Sequence, residues 1–192
     1  MVMDEWKNTQ FVSVPAGPGR DAPPHRLFSF PNPVNELAAR SVAAGVLTLS
    51  ALTLLLSLTA GDGWLWLSVP LAYGFLARAA AGPTFSPLGQ LATRVIAPRL
   101  GPARPTAGPP KRFAQAIGAA VTTAIVVLTA LGLSGPAQVL LGLMIVFSGL
   151  ESILGFCVGC RMFALLMRAG LIPESVCEAC ANLSARPRAA RA

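Results

Sequence analysis

Charge is what this sequence has least of: 12% of its 192 residues are Asp, Glu, Lys or Arg, about half the share found in ordinary soluble domains. Hydrophobic residues make up 54%. A soluble domain of this size cannot hide that much apolar surface, so the composition excludes a water-solvated globule and points to a membrane. The first 36 residues lack an apolar core of the kind an export signal needs, so no cleavable signal peptide is expected there. Cysteine is absent until Cys157. The net charge of +7 comes without any recognised nucleic-acid motif, which excludes nucleic acid as the expected partner. A small transporter or scaffold is a further reading, although polar groups inside the apolar runs are few, which argues mildly against an ion path.

What remains is a set of long uncharged runs. Residues 41–60 and 113–134 contain no charged side chain, and each is long enough to cross a hydrocarbon core of roughly 30 Å at about 1.5 Å per residue. Residues 63–80 form a shorter run that carries Pro70, and residues 136–157 contain Glu151 as their single charge. The expectation is four spans, at about 38–60, 63–80, 113–134 and 136–157. They follow a flexible cytoplasmic tail (1–31) within a membrane domain of residues 32–160, and a cytoplasmic tail of residues 161–192 closes the chain.

The Lys and Arg residues orient these spans. The connections at Gly61-Asp62-Gly63 and Ser134-Gly135-Pro136 hold none of them. All fifteen lie in the N-terminal tail and start of the first span, between Arg78 and Arg112, or from Arg161 onward. With four spans those regions share one face. Positive-inside bias then puts both termini and the middle loop in the cytoplasm.

Proline and capping residues suggest the elements. Asn32-Pro33 reads as a helix start, with Glu36 and Arg40 spaced to pair. Ser86-Pro87 starts a short amphipathic helix whose stripe is Leu88, Leu91, Ala92, Val95 and Ile96; it lies along the inner leaflet or packs on the bundle. Residues 101–110 read as an extended linker. The fourth helix is expected to run past Cys157, about 31 Å from Pro136, to a C-cap at Gly170. Pro173 then opens a last short helix. The fold class is therefore all-α: a four-helix transmembrane bundle with a short interfacial helix and a C-terminal cytoplasmic helical hairpin.

The four cysteines carry the chemistry. Cys157-Val-Gly-Cys160 and Cys177-Glu-Ala-Cys180 are two C-x-x-C pairs, sixteen residues apart, and each places its sulfurs one helical turn apart. In a reducing cytosol lasting structural disulfides are not expected. Three readings stay open: a redox relay by thiol–disulfide exchange, one zinc ion held by all four thiolates, and small buried apolar residues without chemistry. Arg161 is placed to favour a thiolate at Cys160, whereas Glu174 and Glu178 oppose one at the second pair. Glu151, an acid within the membrane, is a candidate proton relay to a thiol; the alternative is a partner for Arg40 or Arg78 that holds helices together. Gly149, Gly155 and Gly159 read as helix-packing positions.

Four stretches resemble a bacterial, largely actinobacterial, membrane family known as domain of unknown function 4395. They are Phe30-Pro-Asn-Pro-Val-Asn-Glu36, Gly82-Pro-Thr-Phe-Ser-Pro-Leu-Gly89, Gly108-Pro-Pro-Lys-Arg-Phe-Ala-Gln115 and Phe156-Cys-Val-Gly-Cys-Arg-Met-Phe163. The resemblance implies a multi-span membrane protein with a cysteine-pair motif. Members are often encoded beside thioredoxin-like proteins and sulfurtransferases, which implies a partner of that kind and favours thiol or sulfur traffic. No cofactor is implied beyond the zinc of the second cysteine reading.

Overall fold

A computed structural model describes residue 30, residues 34–173 and residue 176. A two-residue strand β1 (Val34–Asn35) pairs antiparallel with β2 (Pro105–Thr106), in the register Val34 to Thr106. The rest is helical: α1 (Glu36–Ala60), a 3-10 turn (Asp62–Leu67), α2 (Ser68–Ala81), a second 3-10 turn (Gly82–Phe85), α3 (Pro87–Leu91), a π turn (Ala92–Ile96), α4 (Ala97–Leu100), α5 (Gly108–Ala130), α6 (Ser134–Leu154) and α7 (Val158–Arg168). Three helices, α1, α5 and α6, are long and apolar enough to cross a membrane.

Prolines explain several starts. An α-helix cannot extend far upstream of a proline, because the ring meets the carbonyl four residues back and the N–H is missing. Pro70 therefore confines α2 to begin at Ser68, and the expected second span is divided into a 3-10 turn and a fourteen-residue helix. Pro109 and Pro110 sit in the first turn of α5, so it starts at Gly108 and the expected linker is shorter. Pro136 likewise sits in the first turn of α6. The connection expected at Ser134-Gly135-Pro136 lies instead at Leu131-Gly132-Leu133, where Gly132 adopts a φ of 74° and Leu133 N–H donates to Leu128 O at 2.9 Å. The π turn ends just before Pro98, which cannot donate to Arg94 O.

The first helix starts later than Asn32-Pro33 implied. Asn35 is its cap, accepting from Leu37 N–H at 3.1 Å, and Arg104 N–H also donates to the Asn35 side chain at 3.2 Å. Arg40 does not pair with Glu36. Its guanidinium donates to Ser152 O and Ile153 O, carbonyls that the end of α6 leaves open.

The bundle packs α1 on α6, α6 on α5 and α5 on α2. Its core runs from Val42 and Val46 through Phe75, Ala119 and Ile125 to Leu141 and Met144. The segment from Pro87 to Leu100 lies on α1, capped by Ser86 Oγ, which accepts from Gly89 N–H at 3.2 Å. Gly45 makes room for it, since a Cβ there would fall 2.5 Å from Leu88 Cδ1. Of the expected stripe, Leu88, Ala92 and Ile96 turn toward the bundle, while Leu91 and Val95 are exposed.

Candidate functional site

Helix α6, the last expected span, stops short of the cysteines. Gly155 takes a left-handed φ of 67° and its N–H donates to Glu151 O at 3.1 Å; Phe156 N–H reaches back to Leu150 O at 3.1 Å. This is a helix-ending arrangement that glycine adopts without a steric penalty. The chain then restarts as α7 with Cys157 as its cap. The expected continuous helix through Cys157 is thus replaced by two helices with a sharp joint. Gly155 makes the joint, and Gly159 is the packing glycine of the three expected ones, because a Cβ there would lie 2.7 Å from Ala114 Cβ. Phe113 and Phe163 add a tilted ring contact at 5.6 Å between α5 and α7. The far end of α7 has Gly170 in a left-handed φ of 72°, as expected of a C-cap.

Cys157 and Cys160 meet as their spacing predicts. Cys157 Sγ accepts from Cys160 N–H at 3.4 Å, and the two sulfurs are 2.8 Å apart. Both are free thiols; Cys157 is buried and Cys160 half-buried. The Cys160 thiol donating to Cys157 holds that sulfur's pKa below the ordinary thiol range, with Lys111 helping and both burial and Glu151 opposing. Cys160 is pushed up, by giving its proton to that bond and by burial. The two sulfurs thereby differ in proton affinity, Cys157 holding its proton less tightly than Cys160.

Lys111 is the residue that sequence reasoning missed. Its ammonium sits 2.6 Å from Glu151 Oε1, the ion pair recorded among the described residues. Glu151 therefore pairs with neither Arg40 nor Arg78. Arg161, expected beside the thiol, stacks on the Phe156 ring at 5.2 Å. Lys111 stands in one of the four quoted stretches, but nothing in the sequence ties residue 111 to residue 151. A cavity of about 130 Å³ runs from Cys157 and Glu151 past Gln115 to Val46, Phe75 and Met144.

Cys177 and Cys180, the second arm of the expected hairpin and the helix opened by Pro173 lie outside the described residues. So do the N-terminal tail and His25. Among the described residues no three His, Cys, Asp or Glu side chains gather to hold one metal ion. Described residues from each of the four quoted stretches lie at one end of the bundle. Asn35 caps α1 there, Ser86 Oγ and Gln115 Oε1 accept from Arg78 at 2.9 and 2.8 Å, and the Cys157–Cys160 pair lies beside Lys111 and Glu151.

No curated protein and no solved structure matches the chain. A family model does, over residues 34–168, which include everything from β1 to the end of α7. The chain belongs to the family described as a domain of unknown function, DUF4395.

Proposed function

We propose that this is a four-span protein of a bacterial inner membrane whose Cys157–Cys160 pair exchanges electrons or sulfur with a thioredoxin-like or sulfurtransferase partner at the cytoplasmic face. One observation carries the reading: a buried sulfur at a helix N-terminus, 2.8 Å from its partner, accepts that partner's S–H and N–H bonds. Two aligned sulfurs with opposite proton affinities are what thiol–disulfide exchange uses.

The fourth span is supported by length. The 3-10 turn and α2 contribute six and fourteen residues, which give about 33 Å at their respective rises, against roughly 30 Å of hydrocarbon. Val69, Tyr73 and Leu76 are exposed along α2 and suit contact with lipid.

In the exchange, the Cys157 thiolate attacks a disulfide of the partner. It forms a mixed disulfide, and one partner thiolate leaves. Cys160 then loses its proton and attacks Cys157 Sγ, closing the Cys157–Cys160 disulfide and releasing the partner as a dithiol. Two electrons pass to the partner, whose two leaving thiolates take one proton from Cys160 and one from solvent, and the reverse sequence reduces the pair. Glu151 stands next to both thiols in charge terms, but it would accept a proton only by giving up Lys111. A positioning role through Lys111 is therefore its better-supported part.

The test uses the full-length protein in detergent. Cys160→Ser should accumulate a mixed disulfide with a thioredoxin-like protein, and Cys157→Ser should abolish it. Trapping that is unchanged in Cys157→Ser would sink the exchange reading. Near-stoichiometric zinc, with thiols reactive only after chelation, would replace it with a structural site made by Cys157, Cys160, Cys177 and Cys180.

A further inference from the structure

We propose that Arg78 and Lys111 form a buried anion site that takes one phosphate- or sulfate-type group. Arg78 lies in the last turn of α2 and is 5% exposed. Its guanidinium donates from Nε to Gln115 Oε1 at 2.8 Å and from Nη1 to Ser86 Oγ at 2.9 Å, and its face covers the Phe75 ring at 4.6 Å. Every one of those partners is neutral. Nη2 is buried and has no hydrogen-bond partner.

Lys111, 8% exposed, reaches Glu151 alone. Both cations line a single cavity of about 60 Å³, together with Gln115, Thr93, Gly82 and the α1 residue Ala38. Two buried positive charges share one carboxylate there. Glu36 and Asp62, the other acids among the described residues, form no ion pair with either.

A buried guanidinium with an N–H group left unpaired is unfavourable unless an anion or water meets it. Its planar donors fit the oxygens of a phosphate or sulfate, and a lysine beside it adds a compact point charge. The cavity has room for a small group such as one tetrahedral oxyanion beside the two cations. The group can be a free inorganic anion or the phosphate of a lipid head, since the cavity lies at the basic end of the bundle. This site shares Lys111 with the thiol exchange above, but its test reads anion binding rather than thiol chemistry, so either can fail without the other.

The experiment is equilibrium dialysis of the full chain, purified in detergent and delipidated, against labelled sulfate or inorganic phosphate. Native mass spectrometry of the protein before delipidation accompanies it. Saturable binding of about one anion per chain identifies a free-anion site; one retained phosphate-bearing lipid identifies a lipid-head site. Arg78→Gln should weaken either by roughly tenfold or more, because a charge-assisted bond is lost, with Arg78→Lys intermediate. Wild-type protein that holds neither group overturns the proposal without reference to any variant and leaves water as the occupant. Equal binding by a folded Arg78→Gln protein does the same, and Lys111→Gln serves if Arg78→Gln does not fold.

Discussion

Cys157 and Cys160 are chemically alike and electrostatically different, and the difference has a direct readout. Cys157 has a lowered pKa because Cys160 donates to it; Cys160 has a raised one for the same reason. A lowered value means that the Cys157 thiolate is already present below the ordinary thiol range near 8.5, and is lost only as pH falls through the lowered value. Alkylation by iodoacetamide, followed by mass spectrometry at a series of pH values, should therefore label Cys157 first and Cys160 last. In Cys160→Ala the Cys157 profile should move to higher pH. Superimposable profiles for the two residues, or no shift in the variant, would contradict the geometry. The pairing itself was legible in the sequence, because a three-residue separation fixes the sulfurs near one another in any helical turn. The charge around it was not. Arg161 is adjacent in sequence but turns onto Phe156, whereas Lys111 comes from another helix. Local spacing says nothing about a neighbour delivered by tertiary packing.

Helix ends were legible where a proline or a cap acts locally and obscure where two signals compete. Ser86 and Gly170 fell where expected, because capping and left-handed glycine operate within a few residues. The joint at Gly155 was hidden by the mostly apolar run from residue 137 to residue 166, with Glu151 and Arg161 its only charges, which reads as one helix by periodicity alone. Its sharp turn lets α7 lie on α5, and Gly159 is the contact that allows it. Gly159→Ala would push a Cβ to within 2.8 Å of Ala114 Cα, which is backbone and cannot swing away. The expected loss is about 1–3 kcal/mol, as for other overpacked sites. Gly142→Ala, in α6 with open space around it, should be neutral or stabilising by about 0.5–1 kcal/mol through helix propensity. Thermal unfolding followed by circular dichroism compares the two. A Gly159→Ala protein as stable as Gly142→Ala would mean that α7 is not held against α5 as described. The stability loss should bring with it a Cys157 alkylation profile closer to that of a free thiol, since the same contact positions the cap of α7.

The molecule as a whole is built with its polarity reversed. On α1 the inward stripe is Ala38, Val42, Val46, Ser50, Thr53 and Ser57, while Leu52, Leu55 and Leu58 point outward with 45–64% of their surface exposed. Small residues inside and leucines outside suit helices that associate in lipid, where close packing rather than hydrophobic burial holds the bundle. Buried hydroxyls such as Thr53 and Thr122 return their bonds to carbonyls of their own helices, so they ask nothing of the lipid. The two ends also differ. Exposed Trp64 and Trp66 mark one end, near the turn at Gly132, as interfacial aromatics do. Arg40, Arg78, Lys111 and Arg112 gather at the other, together with the Cys157 joint. With a fourth span at residues 62–81, positive-inside bias predicts that a reporter fused after Ala192 reads as cytoplasmic and one inserted at Gly132 as periplasmic. A three-span arrangement leaves the two termini on opposite faces, so with the C-terminus inside it gives the same two signals and is told apart only by a reporter at the N-terminus, which would read as periplasmic. An inverted bundle changes both. In that inverted case Cys157 and Cys160 would face an oxidising compartment, where the pair is expected to persist as a disulfide, so the topology assay decides the setting in which the thiols act.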